Sequence, residues 1–364
     1  MKLYSSRVYT EDLEKAVSGV KEMEKLRGKS LLVTGAGGLI GSYLVDMLLM
    51  ANRMQDLHVT VYAVGRSRER LEARFADVKT EALVYVEQDV EKPMKQKFSV
   101  DYLIHAASNA YPAAFFKDPV GTVMGNIEGT KNLLDYAKEQ GAERLLFVSS
   151  GEVYGQGDGS LEPYKEEYSG YVDNLSWRSC YPAGKRAAET LCCAYTAQYG
   201  LETVIVRPSH VYGPNTTEKD NRATVQFMEN AMEGKDIVLN SAGSQMRSYT
   251  YVADCGAAVL SVLLSGTCGA AYNIANRQSR LTIAEFAQET ARQTGRQVIF
   301  KNPDDVQMAQ RTPITRQVLD STKLEGLGFI PAFDIETGIA HTLQIMKEMR
   351  QYASSGKTET FVLF

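Results

Sequence analysis

The sequence has no apolar run long enough to cross a bilayer. Its greasiest stretch, residues 39–50, is broken by Gly41, Ser42 and Asp46 and falls short of the roughly 20 residues that a spanning helix needs. The first ten residues lack the apolar core of a secretory signal, so a cytoplasmic location is expected. Cysteine is scarce: five residues, an odd number, with no C-x-x-C pair. That argues against a disulfide framework, and with no close set of Cys and His no metal is expected. Positive charge is not in excess, since 40 Lys and Arg face 44 Asp and Glu for a net charge of -4. A basic face for nucleic acid is therefore not expected. Internal repeats and low-complexity segments are also missing. What remains is 364 residues with 44% hydrophobic and 23% charged content, an ordinary globular composition long enough for one large domain or two moderate ones.

Residues 11–26 place Leu13, Ala16, Val17, Val20, Met23 and Leu26 at helical spacing, which predicts an amphipathic helix in an N-terminal extension over 1–29. Residues 29–34 form a short apolar run ending in glycines, the pattern of a buried strand. Strands and helices then alternate, with strands at 59–64, 83–86, 102–106, 144–149 and 202–207. Helices are read at 40–51, 67–76, 120–140 and 183–199. Such alternation calls for parallel strands joined by right-handed crossovers, an α/β, Rossmann-type doubly wound sheet over 30–207. After Gly213-Pro214 the elements shorten, with a helix near 225–232, a strand at 237–239 and helices at 253–264 and 283–293. This predicts a smaller C-terminal α/β lobe, mainly 208–350, whose elements can interleave with the sheet and which closes over its C-terminal edge. A frayed tail, 351–364, follows.

The loop after the first strand reads Thr34-Gly35-Ala36-Gly37-Gly38-Leu39-Ile40-Gly41. Gly35 permits a tight turn, Gly38 a close backbone approach to a pyrophosphate, and Gly41 close helix packing, while the helix start offers N–H groups to the anion. A glycine loop alone is a weak signal. Its position between a strand and a helix makes a dinucleotide, NAD or NADP, the expected ligand. The second strand ends in Gly65-Arg66-Ser67-Arg68, without the carboxylate that binds a ribose 2′-hydroxyl. Arg66 and Arg68 thus lean the reading toward NADP, the alternative being that they solvate a helix start. Asp89-Val90, after the third strand, is placed to reach the adenine, or is a solvated turn.

Tyr181 and Lys185 lie four residues apart and share a helix face. A free phenol, with pKa near ~10, is a weak base at neutral pH. A neighbouring ammonium and a positive nicotinamide stabilise phenolate, which can then take a hydroxyl proton while hydride leaves the same carbon. Ser150, at the end of the fifth strand, can hydrogen-bond the reacting oxygen. A Y-x-x-x-K pair by itself is common on ordinary helices; its order after the glycine loop and Ser150 is what carries the assignment.

The chain resembles the extended short-chain dehydrogenase/reductases, the nucleotide-sugar epimerase/dehydratase/decarboxylase group, over residues 30–345. The likeness rests on TGAGGLIG, IHAAS at 104–108, NIEGTKNLL from Asn126, SSGEVYG, YPAGK, RPSHVYGP from Arg207 and RSYTYVAD from Arg247. Residues 167–192 are most similar to UDP-glucuronate decarboxylases. The resemblance implies Tyr181 as base, Lys185 on the nicotinamide ribose, Ser150 on the sugar hydroxyl and Glu152 as a further catalytic group. It implies a cofactor lined by Gly35, Gly38, Leu39, Ile40, Gly41, Ala106, Ala107, Asn126 and Pro208. Arg247, with His210, Arg222 and Gln245, would hold a nucleotide-sugar, most plausibly a UDP-sugar. It also implies a homodimer through helices 120–140 and 183–199, and no membrane partner.

Three departures stand out. Dehydratases of the group usually carry an acid where this chain has Gly151, His210 replaces a common Asn, and Gly65-Arg66 replaces the common Asp. The expected activity is oxidation at sugar C4 by a tightly held, recycled cofactor, followed by decarboxylation of a uronic acid. The 4,6-dehydratase and 4-epimerase reactions share the first step and stay open. So does a non-catalytic NAD(P) sensor, against which Ser150, Tyr181 and Lys185 stand.

Overall fold

Leu31, Leu32 and Val33 have no exposed surface, as expected for a strand covered on both faces. They belong to β1 (Ser30–Thr34), which lies inside a parallel sheet. The computed structural model describes residues 3–217, 220–302 and 314–354. β2 (Thr60–Gly65) and β3 (Leu83–Glu87) extend the sheet to one side of β1; β4 (Tyr102–His105), β5 (Arg144–Val148) and β6 (Thr203–Pro208) extend it to the other. The chain order reverses between β1 and β4, where Thr34 pairs with His105. In an open α/β sheet such a reversal leaves a crevice beyond the carboxyl ends of the two strands.

Alternate side chains feed two cores. On one face Leu31 and Val33 pack with α1 (Arg7–Ser18) and α2 (Leu39–Gln55). Behind β2 comes the short α3 (Arg68–Arg74). On the other face Leu32, Leu103, Leu145 and Phe147 pack with Leu133, Leu134 and Ala188. These last come from α5 (Pro119–Gln140), which follows a short α4 (Pro112–Lys117), and from α6 (Cys180–Tyr199).

The C-terminal region interleaves with the sheet. β7 (His210–Tyr212) and β9 (Met246–Tyr251) pair with each other, and β9 also pairs with strands Arg280–Thr282 and Arg316–Gln317. β8 (Ile237–Leu239) pairs with strand Val298–Phe300. α7 (Ala223–Met232) precedes β8, and α8 (Val252–Ser265), buried along nearly its whole length, runs back against α2. β10 (Ala271–Ile274) then becomes the seventh strand of the main sheet, beside β6. None of β7, β9 or β10 has a clean period-2 pattern, which is why the sequence reading passed over them.

One expected element differs. The helix predicted over 11–26 starts earlier, where the Ser6 hydroxyl accepts from the Tyr9 amide, and stops at Gly19. A turn and a short 3₁₀ helix, Met23–Leu26, follow. Val20, Met23 and Leu26 are buried all the same, so the apolar spacing marked a covered face across the break. Residues 351–354, expected to open a frayed tail, instead end the helix Ile335–Ser354; the rest of that tail lies outside the described residues. No described helix is long and apolar enough to cross a membrane.

Candidate active site

The turn after β1 is built so that nothing but backbone fills it. Gly35 has φ 68°, and a Cβ there would stand 2.8 Å from the Ala106 backbone at the end of β4. A Cβ on Gly41 would overlap the Gly35 carbonyl oxygen. Gly38 is the N-cap of α2, with no side chain capping the helix start. Opposite the loop, the Thr34 hydroxyl meets His105 Nδ1 at 2.9 Å and accepts from the Ala107 amide at 3.3 Å. Burial, followed by the Lys185 charge, pushes His105 down to about 3, so it is a neutral ring bracing the crevice floor. Asn126 donates to the Thr122 carbonyl and accepts from Ser108 at 3.1 Å, with Gly184 of α6 packed on its Cβ.

Tyr181 and Lys185 stand on the first turns of α6, facing the end of β5. Tyr181 is buried, its ring stacked on Phe115 of α4 at 4.8 Å. Burial and then the nearby Glu152 carboxylate raise its pKa, while a hydrogen bond with Ser150 opposes them. Lys185 Nζ lies 5.8 Å from the Tyr181 ring centre, 4.6 Å from that of Phe147, and donates to the Val148 carbonyl at 2.8 Å. Burial pushes the ammonium down to about 7, with Glu189 pulling the other way. Ser150 caps the turn Gly151–Tyr154 by accepting from the Glu152 amide. Glu152 in turn pairs with Arg178 at 3.5 Å, and Arg178 also lies over the Phe115 ring at 5.0 Å. A phenol, a hydroxyl, a carboxylate and a buried ammonium therefore meet beside the crevice, a set able to move a proton to and from a sugar hydroxyl.

A profile of the NAD-dependent epimerase/dehydratase family matches residues 31–275. UDP-glucuronic acid decarboxylase 1 of Danio rerio is 33% identical over 92% of this chain and 77% of its own length. UDP-glucuronic acid decarboxylase 6 of Arabidopsis thaliana is 33% identical over 85% and 86%. The chain belongs to the NAD-dependent epimerase/dehydratase family. Among solved folds, a dTDP-glucose 4,6-dehydratase of Streptomyces venezuelae, crystallised with NAD, superposes with a TM-score of 0.74 at 24% identity, covering 89% of this chain and 98% of that one.

The residues of this family member fit a dinucleotide, because a Cβ at Gly35 or Gly41 would strike backbone and break the tight turn, and the start of α2, with no side-chain cap, faces the switch point. Leu39 and Ile40 form the first turn of α2. Asn215, which no motif pointed to, donates to the Leu39 carbonyl and Ser42 and so pins that turn from the C-terminal lobe. Arg66 reaches Asn109 at 3.4 Å across the crevice mouth, whereas Arg68 is drawn onto Glu72 at 2.7 Å along α3. Asp89 accepts from the Glu91 amide within its own turn, and Val90 packs on Gly129 while its carbonyl accepts from Asn132. Pro208 closes β6, paired with Ile274 of β10.

On the lobe side, Arg247 of β9 is buried and donates to the Met246 and Ile314 carbonyls. His210 is held well below the usual imidazole range by burial and then by the Arg247 and Arg222 charges, so it is neutral. Arg222 pairs with Asp220 at 2.6 Å and donates to the Val211 carbonyl. His210 Nδ1 and Gln245 Oε1 are buried without a hydrogen-bond partner among the described residues, a state that proteins avoid unless a ligand or water completes the bond. Arg178, Phe115 and Gln317 were not singled out from sequence. Arg178 stood inside the stretch 167–192 without a role; Phe115 and Gln317 stood in stretches with neither motif nor period.

Proposed function

We propose that this chain binds a UDP-linked hexuronic acid, oxidises its C4 and releases the carboxylate as CO2, as a UDP-glucuronate decarboxylase does. The observation that carries this reading is the meeting of Tyr181, Ser150 and Glu152 with Lys185 at the end of β5, beside the crevice, in a chain one-third identical to UDP-glucuronic acid decarboxylases. The region 30–207 would hold the cofactor and the lobe 208–350 most of the sugar nucleotide, in a homodimer.

A nicotinamide held by the Gly35–Gly41 turn, with Lys185 on its ribose, would supply a reversible hydride acceptor for C4 and a positive charge in the site. Tyr181, ionised, takes the proton from the sugar O4, and Ser150 holds that oxygen in line. Lys185 keeps the phenolate stable from below. With C4 a ketone, the bond from C5 to the carboxylate breaks and its electron pair moves into the carbonyl. The enolate oxygen formed there lies against the Tyr181 hydroxyl and Ser150. Protonation at C5 and reduction at C4 then leave the pentose.

Dehydration is less well served, because the place of the expected acid is Gly151, which offers no proton. The test is incubation of the purified protein with UDP-, dTDP-, CDP- and GDP-sugars, read by mass spectrometry. Loss of CO2 from UDP-glucuronate is expected; loss of water, or unchanged mass with inversion, would replace the decarboxylase reading.

For the cofactor, the absent carboxylate at Arg66 removes the group that repels a 2′-phosphate, and a guanidinium there can pair with one. NADP is therefore expected to bind at least as well as NAD, and Arg66→Ala to weaken NADP selectively. Calorimetry on stripped protein decides it: ten-fold tighter NAD, or equal loss of both, would show that Arg66 does not read the 2′ position.

A further inference from the structure

Gly151 sits between two groups of the site, Ser150 and Glu152, and its missing side chain leaves room for another residue. A Cβ on Gly151 would stand 3.3 Å from Gln317 Cδ and 3.4 Å from Gln317 Nε2. Gln317 comes from the far end of the chain. It lies in the short strand Arg316–Gln317, which pairs with β9 so that Gln317 is the register partner of Arg247. The neighbouring segment is tied to the loop after β5 by the Tyr164 amide, which donates to the Val318 carbonyl at 2.8 Å. Gln317 is 3% exposed, yet its Nε2 has no hydrogen-bond partner among the described residues. A buried amide donor left unpaired is destabilising, so a donor held in this state next to a catalytic turn points to a ligand acceptor.

We propose that the Gln317 amide binds and positions the substituent on the sugar carbon next to the one that is oxidised, and that this substituent is a carboxylate. The proposal rests on the C4-oxidation reading given above and adds the residue that selects the uronic acid. Two observations favour a carboxylate over a hydroxymethyl group. Arg178 Nε is a second buried donor without a hydrogen-bond partner among the described residues, beside Glu152; a carboxylate only accepts, and both of these N–H groups only donate. Among the described residues Arg178 and Arg247 both act on Glu152, the carboxylate of the turn, and Arg186 donates to the turn's Val153 carbonyl, which leaves a local excess of positive charge for an anion to meet.

The position also matters for the chemistry. CO2 leaves readily only when its bond stands perpendicular to the plane of the new ketone, so that the electron pair flows into the carbonyl. A donor anchored on the strand beside β9, next to Gly151, holds the carboxylate in one orientation while C4 is held by Tyr181 and Ser150. Gln317 is in this sense a positioning residue.

The experiment compares binding of UDP-glucuronate with binding of UDP-xylose, the same sugar nucleotide without the carboxylate, to holoenzyme. The variants are Gln317→Met, which keeps the length and removes the donor, and Gly151→Ala, which presses a methyl group on the amide. Gln317→Met is expected to weaken UDP-glucuronate by about 10- to 100-fold, the size of one hydrogen bond to a charged group, and to leave UDP-xylose within about two-fold. Gly151→Ala should act in the same direction. In turnover, the Met variant should accumulate reduced nicotinamide absorbance, because oxidation continues while CO2 loss slows. Equal weakening of both ligands, or no change in either, overturns the assignment of Gln317. Wild-type enzyme that releases no CO2 and binds UDP-glucuronate no better than UDP-glucose overturns the underlying function instead, and the two failures are read from different proteins.

Discussion

Tyr181 is pulled two ways. Burial and the Glu152 charge disfavour its ionisation, and the hydrogen bond with Ser150 favours it. The phenol should therefore stay protonated until a positive cofactor is present, which keeps the base silent in the empty enzyme. Tyr181→Phe removes only the transferred proton; the ring, its stacking on Phe115 and the cofactor cradle remain. Turnover should fall by about 10²–10⁴-fold, with thermal stability and cofactor binding nearly unchanged, and wild-type turnover in this variant would remove Tyr181 from the role. Lys185 has a different signature. Its folded pKa of about 7 lies below that of an unfolded lysine, near ~10.4. Between those values the unfolded chain holds a proton that the folded chain has given up, so stability rises with pH through this window. Lys185→Met should abolish turnover in the holoenzyme and, in cofactor-free protein, flatten that rise in urea denaturation between roughly pH 7 and 10. An unchanged pH slope would mean that the ammonium is not desolvated. Tyr181 and Lys185 were legible in the sequence because one helix carries both. Gln317 was not, because its nearness to Gly151 depends on a strand more than 150 residues later.

At the scale of elements, the N-terminal segment, the turn Leu3–Ser5 followed by α1, acts as a strap. Tyr4 and Tyr9 donate to the Asp46 carboxylate of α2, which also pairs with Arg74 of α3. Asp46 and Arg74 are almost wholly buried, and Arg74 lies over the Phe75 ring. From the same helix Asp12 accepts from Tyr251 at 2.7 Å and meets His341 at 2.8 Å, while Lys15 reaches the Ala332 carbonyl. The strap thus joins the cofactor helix to the C-terminal lobe. Asp46→Ala would leave the Arg74 charge buried without its partner, and a loss of about 3–5 kcal/mol in unfolding free energy is expected. Denaturant titration measures it, and a loss under about 1 kcal/mol would show that water reaches Arg74. Helical spacing announced that this segment is amphipathic. It could not show that the helix would break at Gly19, nor that a buried carboxylate on α2 would be its anchor.

For the whole molecule, the faces of α5 and α6 turned away from the sheet deserve a test of assembly. Val120 is 72% exposed and Met124 is also exposed on α5, as is Tyr199 at the end of α6. A two-fold contact of these helices with their copies would cover them. Sedimentation at micromolar concentration should give a dimer, and Val120→Glu with Met124→Glu should shift it toward monomer; a monomeric wild type would dismiss this interface. The sequence by itself determined the parallel sheet, since alternating apolar runs and helices of the right length admit few other arrangements. It also determined the glycine turn and the Tyr181–Lys185 pair, because each is a local pattern within one turn or one helix. Tertiary structure alone decided what surrounds them. β10 joins the main sheet from beyond residue 270, and β7 and β9 carry His210 and Arg247 to one side of the crevice. Gln317 lands beside Gly151. These are contacts between segments far apart in the chain, set by which faces had to be buried together, and no local spacing records them.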